Sequence, residues 1–286
     1  MAKSALLKSS IVKKYWMALT GLFLCLFLAG HLAGNLQLIF GTSQQFNEYA
    51  LFMTTNPAVK LLSYLTYISI IFHAIDGIML TIQNKKARPI GYAKTDGSSS
   101  SIASRNMAVL GTIILVFIAT HMVNFWAKMH FDKNMPLAKK SVNIQGAIQN
   151  FYIGTQSGQF FLVEQVALEH EKKQNTMLPQ QYIVKNGTEL YYAAADIKIA
   201  NLYKDLYKLT VDFFKDPKYG LAFTIFYVLS MIALAFHLWH GFQSAFQSLG
   251  LNSSKFTPVI KFTGKAFAII VPILFAIIPI ILHFKK

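Results

Sequence analysis

Cysteine is almost absent. Cys25 is the only one in 286 residues, and it lies inside an apolar run, so no disulfide can form within the chain. Charge is scarce as well. Only 14% of the residues are Asp, Glu, Lys or Arg, against about 25% in soluble domains. Acidic residues are the scarcer sign, with 12 Asp+Glu against 27 Lys+Arg and a formal charge of +15. Hydrophobic residues take the vacated share, at 54%, including 24 Phe. So much apolar surface excludes a disordered chain. It also argues against a nucleic-acid binder, because the apolar residues fall in long uncharged runs and not between basic ones. The class that remains is an integral membrane protein.

Five stretches, near 16–40, 58–83, 106–128, 219–245 and 264–284, are long enough to cross about 30 Å of hydrocarbon. Asn56-Pro57 is a helix start, since proline suits a first turn. Pro272 and Pro279 predict a kink in the fifth span. The N-terminal arm carries Lys3, Lys8, Lys13 and Lys14, and the loop after the second span carries Lys85, Lys86, Arg88, Lys94 and Arg105. The last loop has Lys255 and Lys261, whereas 41–57 has no Lys or Arg. The positive-inside rule therefore predicts a cytoplasmic N-terminus and an outer C-terminus. The first apolar run, of about 25 residues, exceeds a signal-peptide core and is read as a retained span.

The expected fold is an all-α membrane bundle of five helices with a long outer loop between helices three and four. Its parts are a first membrane part (1–129), an outer-side insertion (130–218) and a second membrane part (219–286). The insertion is the least informative stretch. Its run 160–166, followed by Glu169-His170-Glu171, reads as a surface helix whose acidic cluster is a solvated face and not a metal site. Asn186-Gly187-Thr188 fits a glycosylation acceptor and is read as a chance match.

Of eight histidines, His31, His73, His121, His237 and His240 fall inside the spans. An ionisable group at that depth is costly and marks a functional site by default. For any one of them the alternative is a core histidine satisfied by a helix carbonyl. The pattern around them favours function. Met17-Ala18-x-x-Gly21 precedes His31 by the same spacing as Met107-Ala108-x-x-Gly111 precedes His121, and Phe27 and Phe117 stand four residues before each. The second and fourth spans share Phe72-His73-x-x-x-Gly77 and Phe236-His237-x-x-x-Gly241. The chain thus reads as a duplicated two-helix unit plus a fifth helix.

At 1.5 Å per residue, His31 and His121 lie about 22 Å past the inner ends of their helices, toward the outer face. His73 and His237 lie about 22 to 27 Å past the outer ends of theirs, toward the inner face. Two level-matched pairs result. Facing imidazoles on two bundle helices suit the axial positions of haem iron. No C-x-x-C-H motif is present, so such a haem would be held noncovalently. With both axial positions filled, the remaining chemistry is electron transfer. Gly77 and Gly241, one turn below their histidines, would leave room for a porphyrin edge.

His240 and Asp76 each follow an inner histidine by three residues and would flank the inner haem, as propionate partner, ion pair, proton relay or plain helix-packing contact. His240 is the alternative ligand, but only His237 keeps the Phe-His-x-x-x-Gly frame. Arg105 would serve the inner propionates and Lys128 the outer ones, unless both merely snorkel to the interface. Glu48, in the short outer loop, is a candidate for proton exchange with a quinone; the alternative is a solvated loop residue.

These residues resemble the two-haem cytochrome b subunit of succinate:quinone oxidoreductase and fumarate reductase, of the five-helix bacterial kind. The segments carrying the likeness are Gly30-His31-Leu32-Ala33-Gly34-Asn35, Phe46-Asn47-Glu48-Tyr49-Ala50, Phe72-His73-Ala74-Ile75-Asp76-Gly77, Thr120-His121-Met122, and Ala235-Phe236-His237-Leu238-Trp239-His240-Gly241-Phe242-Gln243-Ser244-Ala245-Phe246-Gln247. The last looks like the Bacteroidota branch. The likeness covers the five spans and little of 130–200. It implies two b haems, a flavoprotein subunit with covalent FAD and an iron–sulfur subunit on the cytoplasmic side, menaquinone as electron acceptor, and residence in the bacterial cytoplasmic membrane. It also implies that this chain does not touch succinate. Other readings are the cytochrome b anchor of a hydrogenase or formate dehydrogenase, and a transporter that uses membrane histidines as a metal or proton path. A membrane di-iron hydroxylase would need H-x-x-x-H and H-x-x-H-H clusters, which the chain lacks.

Overall fold

The computed structural model describes residues 10–88, 90, 101–169 and 179–285. Lys3, Lys8 and Lys94 of the basic segments, and His170 and Glu171 of the acidic cluster, lie outside the described residues. The principal helices are α1 (Ser10–Asn35), α2 (Ser43–Thr55), α3 (Pro57–Ala87), α4 (Met107–His121), α5 (Leu206–Lys215), α6 (Gly220–Ser248) and α7 (Thr257–Phe284). The chain divides into two compact units, one of Met1–Asn35, Pro57–Ala119 and Leu221–Lys286, the other of Leu36–Asn56 and Thr120–Gly220.

The first unit is helical. Five stretches of the chain are long and apolar enough to span a bilayer: Ile11–Phe40, Pro57–Ala87, Met107–Phe131, Gly220–Ser248 and Thr257–Phe284. They match the five expected spans, and several run on past the apolar stretch into turns that carry lysine, such as Lys85 and Lys86 at the end of α3. Their outward faces are strongly apolar. Leu26 is 71% exposed, Leu61 61% and Phe262 75%, and α4 has no buried residue at all. In water so large an apolar face is a liability. In lipid it is the natural exterior, and helices satisfy their own backbone groups there.

Inside this unit Cys25 of α1 packs with Met231, Leu234 and Leu238 of α6 and Ala268 of α7, and Ile114 and Phe117 of α4 lean on the same cluster. Small residues bring α6 and α7 together. Ala268 is completely buried, and a Cβ on Gly264 would lie 2.7 Å from the Phe242 ring. Close backbone approach through small residues is how helices pack without a hydrophobic drive between them. The helix α7 is continuous through the buried Pro272 and Pro279.

The second unit corrects the all-α expectation. The insertion carries two small antiparallel-rich sheets: β1 (Lys139–Ile144), β2 (Ala147–Ile153) and β3 (Phe160–Leu162) in one, and β4 (Val166–Leu168), β5 (Tyr182–Lys185), β6 (Glu189–Tyr192) and β7 (Ile197–Asn201) in the other. β4 pairs in parallel with β5, and every other pair is antiparallel. Tyr152, Phe161, Val166, Val184 and Leu190 of the strands, with Leu137 and Leu202 just outside them, make a core of their own. The surface helix expected over 160–166 is instead a strand, a single 3-10 turn (Val163–Gln165) and the start of the next strand. Phe161 and Val166 enter the core from that stretch, and aromatic and β-branched residues prefer such half-buried pleated surfaces. Two turns use left-handed residues, Gln145-Gly146 (φ 52° and 88°) and Asn186-Gly187 (φ 51° and 84°). Asn-Gly between apolar alternations is a hairpin signal, which accounts for the Asn186-Gly187 pair.

Within the same unit, α2 begins with a capping box. Thr42 Oγ1 accepts from Gln45 N at 3.2 Å, and Gln45 Oε1 accepts from Thr42 N at 2.9 Å. The segment expected to be a short outer loop is therefore largely a helix, which buries Phe46, Asn47 and Ala50.

Candidate functional site: paired membrane histidines

His73 of α3 and His237 of α6 come together inside the first unit. Their ring centres are 6.1 Å apart and their planes cross at 67°. An imidazole nitrogen sits about 2 Å from a metal it ligates. Its ring centre lies about 1 Å further back, so two imidazoles on opposite sides of one metal have centres about 6 Å apart. The observed separation fits that requirement. His237 Nδ1 is shielded from solvent and has no hydrogen-bond partner among the described residues. Buried polar atoms are nearly always paired, so this nitrogen stands out among the described residues.

The surroundings of these two rings repeat. A Cβ on Gly21 of α1 would meet His73 Cε1 at 3.2 Å, and one on Gly111 of α4 would meet His237 Cε1 at 4.0 Å. A Cβ on Gly77 would meet the Met17 methyl at 3.9 Å, and one on Gly241 would meet the Met107 methyl at the same distance. Each helix pair thus packs a glycine against the imidazole and a methionine against the glycine one turn beyond. The duplicated sequence motif is a duplicated packing motif.

Asp76 and His240 are half-buried and near enough to interact electrostatically with His73 and His237 respectively. No hydrogen bond or ion pair joins Asp76 to His240 among the described residues. Arg105 ends a short helix (Ile102–Arg105) and is exposed, two residues before α4 begins.

His31 and His121 lie in different units, and each is described within its own. His31 is half-buried and stacked. The Phe27 ring lies 5.2 Å from it at 16°, and Phe275 of α7 lies 5.8 Å away. Asn35 Nδ2 donates to the His31 carbonyl at 2.8 Å and sits 3.4 Å from the ring nitrogens. His121 ends α4 where the chain widens into a π-helix, Met122–Ala127. Such π segments are frequent at functional positions, because the wide turn re-aims a side chain. Phe125, one turn on, packs against His121 at 5.3 Å and against Phe213 of α5 at 5.1 Å. Lys128 follows the π-helix and is exposed.

Glu48 lies on the exposed face of α2 and accepts a hydrogen bond from Gln44 Nε2 at 2.8 Å. Its neighbour Asn47 is buried. Asn47 donates Nδ2–H to Asp205 Oδ1 at 2.9 Å and accepts from Tyr207 N at 3.0 Å, while Asp205 caps α5 by accepting from Lys208 N at 2.9 Å. The helix carrying Glu48 is thereby tied to α5 of the insertion. Tyr203, next to this tie, has its phenol pushed above the ordinary tyrosine range by burial and by the Glu48 carboxylate.

Sequence reasoning did not single out Thr20, Asn47 or Asp205. Thr42-x-x-Gln45, the capping signature at the head of α2, was available for the helix that holds Asn47. For Thr20 the signal was a lone hydroxyl in an apolar helix beside a motif glycine. Among the described residues no three His, Cys, Asp or Glu side chains gather as a metal cage. Comparison with protein-family models, curated proteins and solved structures finds no match.

Proposed function

We propose that this chain is the membrane-anchor cytochrome b subunit of a succinate:quinone oxidoreductase of the succinate dehydrogenase/fumarate reductase type, a subunit that passes electrons from an iron–sulfur partner to a quinone, menaquinone by resemblance. The carrying observation is the His73–His237 pair. Two imidazoles from separate apolar helices stand at the spacing of two axial ligands. His73 and His237 would hold one b haem, and His31 and His121 the second. A haem with two histidine ligands supplies one-electron exchange and offers no open coordination position for oxygen or substrate.

The chain's own residues do the rest. Cys25, Met231, Leu234 and Leu238 give the same helical unit an apolar core. Gly21 and Gly111 let helix backbones approach the rings. Glu48, exposed on α2, would stand at the quinone side, where its carboxylate would exchange a proton with the quinone oxygen. Arg105 and Lys128 are cations near the two ends of the third span and would meet haem propionates. The basic segments orient the chain with its N-terminus in the cytoplasm, which puts the flavoprotein and iron–sulfur partners on that side.

Affinity purification from native membranes tests the assignment. The account expects a flavin-bearing and an iron–sulfur subunit to co-purify and succinate to reduce the b haem signal. Co-purification of hydrogenase or formate dehydrogenase subunits would reassign the anchor, and capture of neither with no haem would end the proposal.

A further inference from the structure

The two helix pairs repeat their methionine, glycine and histidine contacts, but they differ at the position before the first glycine. Thr20 stands immediately before Gly21, and Leu110 holds the matching position before Gly111. Thr20 is 6% exposed. Its Oγ1 lies 2.9 Å from the Trp16 carbonyl, 3.1 Å from the Met17 carbonyl and 3.3 Å from His73 Nδ1. A hydroxyl has one proton and two lone pairs. With that proton given to a helix carbonyl, the oxygen is left to accept from His73 Nδ1–H, next to the Met17 carbonyl that also bonds this ring. In this arrangement Nδ1 carries the ring proton and Nε2 keeps its lone pair. His237 has no such partner, and its Nδ1 is the orphan described above.

We infer that Thr20 is a positioning residue for His73, fixing its tautomer and raising its basicity, so that the two imidazoles of the pair are unequal donors. This inference rests on the proposed haem-binding function. A metal-bound histidine normally gives its second N–H to an acceptor, which orients the ring and strengthens it as a ligand. A stronger donor stabilises the oxidised metal and lowers its potential. Position 20 therefore tunes the iron held by His73 and His237 through His73, and the apolar Leu110 leaves the His237 side untuned.

Redox titration and low-temperature EPR of the intact complex carry the test, with Thr20→Val, Thr20→Ser and Leu110→Thr compared to the parent chain. Thr20→Val is expected to raise the midpoint potential of the inner haem, to move its low-spin ferric signal and to leave the outer haem unshifted. Thr20→Ser, which keeps the hydroxyl, is expected to restore the parent values. Leu110→Thr supplies the missing acceptor to His237 and is expected to shift the same haem the other way. If Thr20→Val is not recovered in the membrane, Leu110→Thr decides alone, and an unshifted inner haem there overturns the inference. An unshifted potential in Thr20→Val, or equal shifts in both haems, overturns the role of Thr20 but leaves the haem assignment standing. A parent complex without haem overturns both.

Discussion

Replacing Asn47 with alanine tests the tie between α2 and the insertion. Asn47 is 3% exposed and makes two cross-element hydrogen bonds, to Asp205 Oδ1 at 2.9 Å and from Tyr207 N at 3.0 Å. Alanine leaves the Tyr207 amide without its acceptor and takes one donor from the Asp205 carboxylate, itself 9% exposed. An unsatisfied buried group costs about 1–3 kcal/mol, and a hydrogen bond to a charged group contributes about 1.5–3 kcal/mol. The two losses share one site and are not additive, so a local destabilisation of about 2–3 kcal/mol is expected. At about tenfold per 1.4 kcal/mol, this corresponds to amide exchange faster by roughly 30- to 140-fold at Tyr207 and Lys208. Hydrogen–deuterium exchange mass spectrometry of the detergent-solubilised complex reads this directly, with the β6 amides near Leu190 as an internal control. The reasoning would be refuted by unchanged exchange at the start of α5, or by equal acceleration throughout the insertion.

Four further outcomes follow from the same geometry. Alanine at His73 or His237 should remove one haem per chain, and alanine at His31 or His121 the other, as counted by pyridine haemochromogen; two haems surviving any of these changes would break the pairing. Glu48→Gln should keep both haems but lose quinone turnover, and unchanged menaquinone activity would remove Glu48 from the mechanism. Leu190→Ala, at a fully buried core position, should destabilise the insertion by about 2–5 kcal/mol in thermal unfolding, and an unchanged melt would contradict the separate core. Burial holds Lys204 below the ordinary lysine range, although Asp132 opposes that shift. Its contribution to stability is then full above the ordinary value of 10.5 and is lost as pH falls through the lowered value. Lys204→Met should flatten that part of the pH–stability profile, and an identical profile would show that Lys204 does not titrate there.

The spans were legible because apolar runs of that length have few other uses, and the histidine motifs because polar groups stand out against them. The spacing Met17, Gly21, His31 against Met107, Gly111, His121 even carried the packing, since Met17 meets Gly77, one turn after His73, and Met107 meets Gly241, one turn after His237. The insertion was opaque for a physical reason. Its strands are three to seven residues long, and β1 buries hardly anything, with only Val142 even half-covered. So short an alternation is lost among lysines. Asn186-Gly187 is read from the sequence only as part of a glycosylation match, although Asn-Gly is a hairpin signal. Thr20 shows the limit at the site itself. A threonine in a membrane helix usually bonds its own backbone, and only the fold reveals that its hydroxyl also faces an imidazole.

The most direct measurement is a reduced-minus-oxidised absorbance spectrum of the purified membrane complex, with haem counted against protein. The account predicts a b-type spectrum with two noncovalent haems for each copy of this chain. A preparation expressed with ample haem supply that stays colourless, or that binds haem without loss on substitution of His73 or His237, would contradict it.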